Sequence, residues 1–131
     1  MATVLVVEHD KNQRLLLEEE LGYEGYTAVT ASNAEEAIAA LSQAKVDLVV
    51  LDMHLPGMGG SEFLGRLAGL GERPPVVIHT ADESCRDGFV SRLAEAFVLK
   101  HSDLSELVET IRGLLCRASG QPVVPPAPAM A

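Results

Sequence analysis

The sequence has no tryptophan, and aromatic residues make up only 4% of it. A base-stacking platform for single-stranded nucleic acid needs more. Positive charge is scarce as well: ten Lys and Arg stand against nineteen Asp and Glu, a formal net charge of −9. Phosphate backbones repel such a chain, which argues against direct nucleic-acid binding. No apolar run approaches ~18 residues, so the sequence offers no candidate membrane span. The first residues, Met-Ala-Thr-Val-Leu-Val-Val-Glu, lack a basic start and reach a charge too soon for a signal peptide. Only two cysteines occur, Cys85 and Cys116, and they form no close metal-type pair. They read as reduced, structural thiols, which points to the cytoplasm.

Apolar residues are plentiful at 47%, and 131 residues suit one domain with one core. Short apolar runs at 3–7, 26–30, 47–51, 76–80 and 96–99 read as strands. Between and after them, helical spacing predicts helices at 12–21, 34–42, 61–70, 84–95 and 103–116. The helix over 84–95 is weakened by Gly88. Leu15, Leu16, Leu17 and Leu21 carry the apolar spacing of the first helix. Ser32 or Asn33 is an N-cap for the second, and Ser102 or Asp103 for the last. Five strands alternating with five helices predict an α/β fold, a parallel sheet covered on both faces with right-handed crossovers. Residues 1–117 read as one domain. Residues 118–131, with four prolines among the last thirteen, read as a flexible, polyproline-like tail or linker.

The most informative stretch is Leu-Val-Val-Leu-Asp-Met-His-Leu-Pro-Gly-Met-Gly-Gly, residues 48–60. A continuous apolar run bounded by turn residues is the pattern of a strand buried on both faces. Asp52 then emerges at the carboxyl edge of the sheet, where open α/β folds bind ligands. The other strands deliver Glu8, His9 and Asp10, then His79 and Thr80, then Lys100 and His101 to the same edge. Clustered carboxylates repel one another unless a cation sits among them, and hard oxygen donors suit Mg²⁺. A lysine and a hydroxyl opposite would hold the oxygens of a phosphoryl group. Asp52 between them is a candidate nucleophile towards phosphorus.

Val-Leu-Val-Val-Glu-His-Asp, Leu-Asp-Met-His-Leu-Pro-Gly-Met-Gly-Gly, His-Thr-Ala and Val-Leu-Lys together resemble the receiver domain of two-component response regulators, over about residues 3–116. The resemblance implies a flavodoxin-like fold: a five-stranded parallel sheet in three layers, strand order 2-1-3-4-5. It implies that Asp52 is the phosphoacceptor and that Glu8 is one of the acidic pair. Thr80 matches the hydroxyl that closes onto the phosphoryl group, and Lys100 the lysine that bridges to it. Asp52, Glu8 and the backbone carbonyl of His54 match metal ligands, and Phe97 matches the aromatic whose rotamer accompanies the switch. The implied cofactor is Mg²⁺. The implied partners are a sensor histidine kinase or phosphotransfer protein, a downstream output domain or protein, and in some members a second copy of the domain. A phosphorelay signalling module is implied, rather than an enzyme.

Three departures from the pattern stand out. His9 occupies the position of the second acid, where an imidazole is a poor Mg²⁺ ligand and a better one for softer ions. This implies weakened Mg²⁺ binding or a softer divalent metal at Glu8, His9 and Asp52. His101 replaces a proline that commonly follows a cis bond; a non-proline cis bond costs ~3–4 kcal/mol, so a trans bond is expected. The stretch from Thr80 to Lys100 is shorter than is common, so the fourth helix or its loop should be shortened. These departures leave open an alternative, a degenerate receiver that acts as a phosphorylation-independent interaction module. Haloacid-dehalogenase-like chemistry would need a second Asp two residues after Asp52, where the chain has His54.

Overall fold

The computed structural model describes residues 2–70, 72–85, 90–101 and 103–118. The Pro-rich stretch 119–131 lies outside the described residues. The chain runs β1 (Thr3–Val7), α1 (Lys11–Tyr23), β2 (Thr27–Ala31), α2 (Ala34–Gln43), β3 (Leu48–Leu51), α3 (Gly60–Ala68), β4 (Val76–Thr80), β5 (Ala96–Leu99) and α4 (Ser105–Ala118). The five strands form one parallel sheet in the order β2-β1-β3-β4-β5, as expected.

Alternation along each strand divides the apolar residues between two cores. Leu5, Val7, Val49, Leu51, Val76 and Ile78 face α2 and α3, meeting Ala37, Phe63, Leu64 and Leu67. Val4, Val6, Leu48, Val50, Val77 and Val98 face the other way and meet Leu17 and Leu21 of α1 and Leu107 and Ile111 of α4. This is why β3 reads as an unbroken apolar run: both of its faces are covered. Of the four leucines on α1, only Leu17 and Leu21 enter the core; Leu15 and Leu16 are 52% and 46% exposed. No helix among the described residues is long and apolar enough to cross a membrane.

Two caps match the expected chemistry. Asp10 accepts from the Asn12 and Gln13 amides at the start of α1, and Asn33 accepts from the Glu36 amide at the start of α2. At α4 the Asp103 carboxylate accepts from the Ser105 amide and hydroxyl.

The fourth crossover departs from expectation. In place of an α-helix over 84–95, the described residues form two single 3₁₀ turns, Glu83–Cys85 and Val90–Leu93. Residues 86–89 of the expected helix lie outside the described residues. The end of the segment is held by polar contacts instead. Glu95 accepts from the Val76 amide at 2.7 Å and pairs with Arg73 at 2.9 Å, while Arg73 donates to the Leu93 carbonyl at 2.9 Å.

Candidate functional site

Strand register assembles the site. Val7 lies opposite Leu51, Leu51 opposite Ile78, and Thr80 opposite Leu99. The next residues, Glu8, Asp52 and Lys100, therefore emerge together at the carboxyl edge. Backbone bonds extend the ladders to that point: the Glu8 amide donates to Ala31, the Asp52 amide to Val7 and the Lys100 amide to Thr80.

The centre is a lysine shared by two carboxylates. Lys100 Nζ donates to Glu8 Oε1 at 2.6 Å and to Asp52 Oδ2 at 2.8 Å. The second oxygen of each acid is also engaged, Glu8 Oε2 by the Asp10 amide and Asp52 Oδ1 by the His54 amide, each at 3.0 Å. Glu8, Asp52 and Thr80 are buried. Burial pushes the Glu8 carboxyl above the usual range; hydrogen bonds from Lys100 and the Asp10 amide oppose this, and the charge of Asp52 adds to it. For Lys100, burial works against the charged form, but the hydrogen bonds to Asp52 and Glu8 outweigh it and its pKa is raised. At neutral pH the lysine is therefore a fixed cation beside Asp52 and Glu8.

Thr80 Oγ1 accepts from the Asp82 amide at 3.3 Å. Phe97 is half-buried against the α2/α3 core, against which Leu93 and Ala94 also pack. His9 and His101 are exposed, and no described peptide bond is cis. His9 does not join the two acids: among the described residues no three His, Cys, Asp or Glu side chains gather as a metal set. His54 turns its ring outward to Asp82, Nε2 to Oδ2 at 3.1 Å. His79 is buried on the α1/α4 side of β4 with Nδ1 unpaired. Burial, then the Lys100 cation, depress its pKa to about 4, so the ring is neutral at pH 7.

Three contributors escaped the sequence reading. Arg14 holds the β1–α1 loop by donating to the carbonyls of Glu8 and His9 at 2.9 and 3.1 Å. Asp82 ties the two loops above the site, although its spacing from Thr80 repeats that of His54 from Asp52. Gly60, read as a turn residue, opens α3 against the residue after Asp52; a Cβ there would lie 2.6 Å from Met53 Cα. Gly57, by contrast, is needed for its left-handed φ of +71°.

The fold and site define a three-layer, flavodoxin-like α/β domain with an acid–lysine cluster at its carboxyl edge. Comparison with known proteins makes this specific. Residues 4–112 match the response regulator receiver domain. The chain is 32% identical over 123 residues to the transcriptional regulatory protein PcoR of Escherichia coli, covering 92% of this chain and 54% of that protein. It is 32% identical over 119 residues to sporulation initiation phosphotransferase F of Bacillus subtilis, covering 86% of this chain and 92% of that one. The response regulator TrrA of Thermotoga maritima, solved in complex with Mg²⁺-BeF, superimposes with a TM-score of 0.84 at 36% identity, covering 87% of this chain and 99% of TrrA. The chain belongs to the response regulator receiver domain family, whose function is to accept a phosphoryl group. It spans about half the length of relatives such as PcoR.

Proposed function

We propose that Asp52 accepts the phosphoryl group, donated by a phosphohistidine on a histidine kinase or phosphotransfer protein. A carboxylate oxygen of Asp52 forms the new O–P bond as the P–N bond breaks. The electron pair leaves with the imidazole, which takes up a proton. Lys100 orients the acceptor and then pairs with the phosphoryl oxygens, and Thr80 supplies a hydroxyl to them. TrrA has also been solved in complex with the histidine kinase ThkA, which supports a kinase as partner. Leu15 and Leu16 support it too, as exposed apolar surface on the helix that leaves the β1 end of the site. The observation that carries the proposal is the single Lys100 ammonium shared by the buried carboxylates of Glu8 and Asp52.

Mg²⁺ fits this donor set. It needs only one or two carboxylates and keeps its remaining waters, so Glu8, Asp52 and the His54 carbonyl would hold it without a third acid. When bound it would neutralise charge on the transferring phosphoryl group. With His9 exposed and apart from the acids, we favour weakened Mg²⁺ binding over a softer metal.

The test is beryllium fluoride or acetyl phosphate with millimolar Mg²⁺, followed by mass spectrometry and NMR. An adduct on the native chain and none on Asp52→Asn is expected; no adduct on the native chain overturns the proposal. Undiminished partner signalling by Asp52→Asn would favour the phosphorylation-independent module, to which His9 and the shortened crossover lend weight.

A further inference from the structure

The loops after β3 and β4 are joined above Asp52 by side chains. His54 Nε2 meets Asp82 Oδ2 at 3.1 Å. At one end of this link the His54 amide donates to Asp52 Oδ1 at 3.0 Å. At the other end the Asp82 amide donates to Thr80 Oγ1 at 3.3 Å. Asp82 is itself pinned, since its Oδ1 accepts from the amide and hydroxyl of Ser84 at 2.9 and 2.5 Å. Acceptor and hydroxyl are thus tied into one hydrogen-bonded circuit, Asp52–His54–Asp82–Thr80. The Thr80 hydroxyl oxygen accepts from the amide of its own loop. Any movement of the 80–82 segment towards a phosphoryl group on Asp52 works against the His54–Asp82 contact.

We infer that His54 and Asp82 form a latch that holds the Thr80 loop in its resting position and so sets how readily the domain enters the phosphoryl-bound state. Both are positioning residues acting through Thr80. The inference rests on Asp52 being the acceptor. Its magnitude follows from exposure: the two side chains are 64% and 39% exposed, and a pair so open to water is weak. The latch biases the switch by a small factor and does not block it.

The test measures the affinity of beryllium fluoride with saturating Mg²⁺ for the native chain, Asp82→Ala, Asp82→Asn, His54→Ala and the His54→Ala/Asp82→Ala double variant. Asp82→Ala is expected to bind about threefold tighter. His54→Ala, which keeps its backbone carbonyl, should do the same, and the double variant should gain no more than either single change. Asp82→Asn should match the native chain, because its side-chain oxygen can still accept from the ring N–H. Unchanged or weaker binding by Asp82→Ala overturns the latch, as does tightening by Asp82→Asn equal to that of Asp82→Ala. No binding by the native chain instead overturns the assignment of Asp52, and the latch with it.

Discussion

Asp52 and Lys100, 48 residues apart in the chain, meet through Oδ2 and Nζ at 2.8 Å. The same ammonium also neutralises Glu8. Replacing Lys100 by Met would leave two buried carboxylates facing one another. A loss of roughly 2–4 kcal/mol in urea unfolding at pH 8 is expected, the lysine being partly accessible. The loss should shrink as pH falls and Glu8, already raised in pKa, takes up a proton. In the native chain the raised Lys100 pKa has the matching sign. Its contribution is fully present below 10.5 and is lost as pH rises through the folded value.

The unpaired Nδ1 of His79 makes that residue a cost to the fold. His79→Val should raise stability by about 1–3 kcal/mol at pH 7. It should also change the acid response. The folded pKa of about 4 lies below the 6.5 of the unfolded chain, so between these values the unfolded state binds more protons. Stability is then lost as pH drops from 6.5 to about 4, by on the order of 3 kcal/mol. The raised Glu8 pKa acts in the opposite sense, so the difference between native and His79→Val curves isolates the histidine. Parallel curves between pH 6.5 and 4 would contradict this account.

Gly60→Ala places a methyl against backbone that cannot swing aside, 2.6 Å from Met53 Cα. A loss of about 1–3 kcal/mol in thermal unfolding is expected, with weaker beryllium fluoride binding as the Asp52 loop moves. Gly59→Ala, with nothing within 4 Å of its Cβ, serves as the control.

His9→Asp restores a hard oxygen donor beside Glu8. Calorimetry should show about tenfold tighter Mg²⁺ binding, ~1.4 kcal/mol. Equal affinities would show that the position does not reach the metal.

The secondary structure was legible wherever burial was two-sided or helical spacing was clean. β3 and β4 declared themselves because covered faces demand continuous apolar runs, and Asn33 because caps are local chemistry. The helix over 84–95 misled at its described residues, which form single 3₁₀ turns, with clamps from Arg73 and Glu95 at the end of the segment. Leu15 and Leu16 misled because periodicity cannot tell a core-facing leucine from one turned to solvent.

Sequence alone determined that Asp52 stands at a strand end, with Glu8, Thr80 and Lys100 at three others, because strand ends in a parallel sheet share one edge. Tertiary structure decided what those residues do to one another. Register brought one ammonium between two acids, left His9 in solvent, buried His79 with an unpaired nitrogen and set Asp82 against His54. Those outcomes depend on contacts at distances of about 3 Å between residues far apart in the chain, which no local pattern encodes.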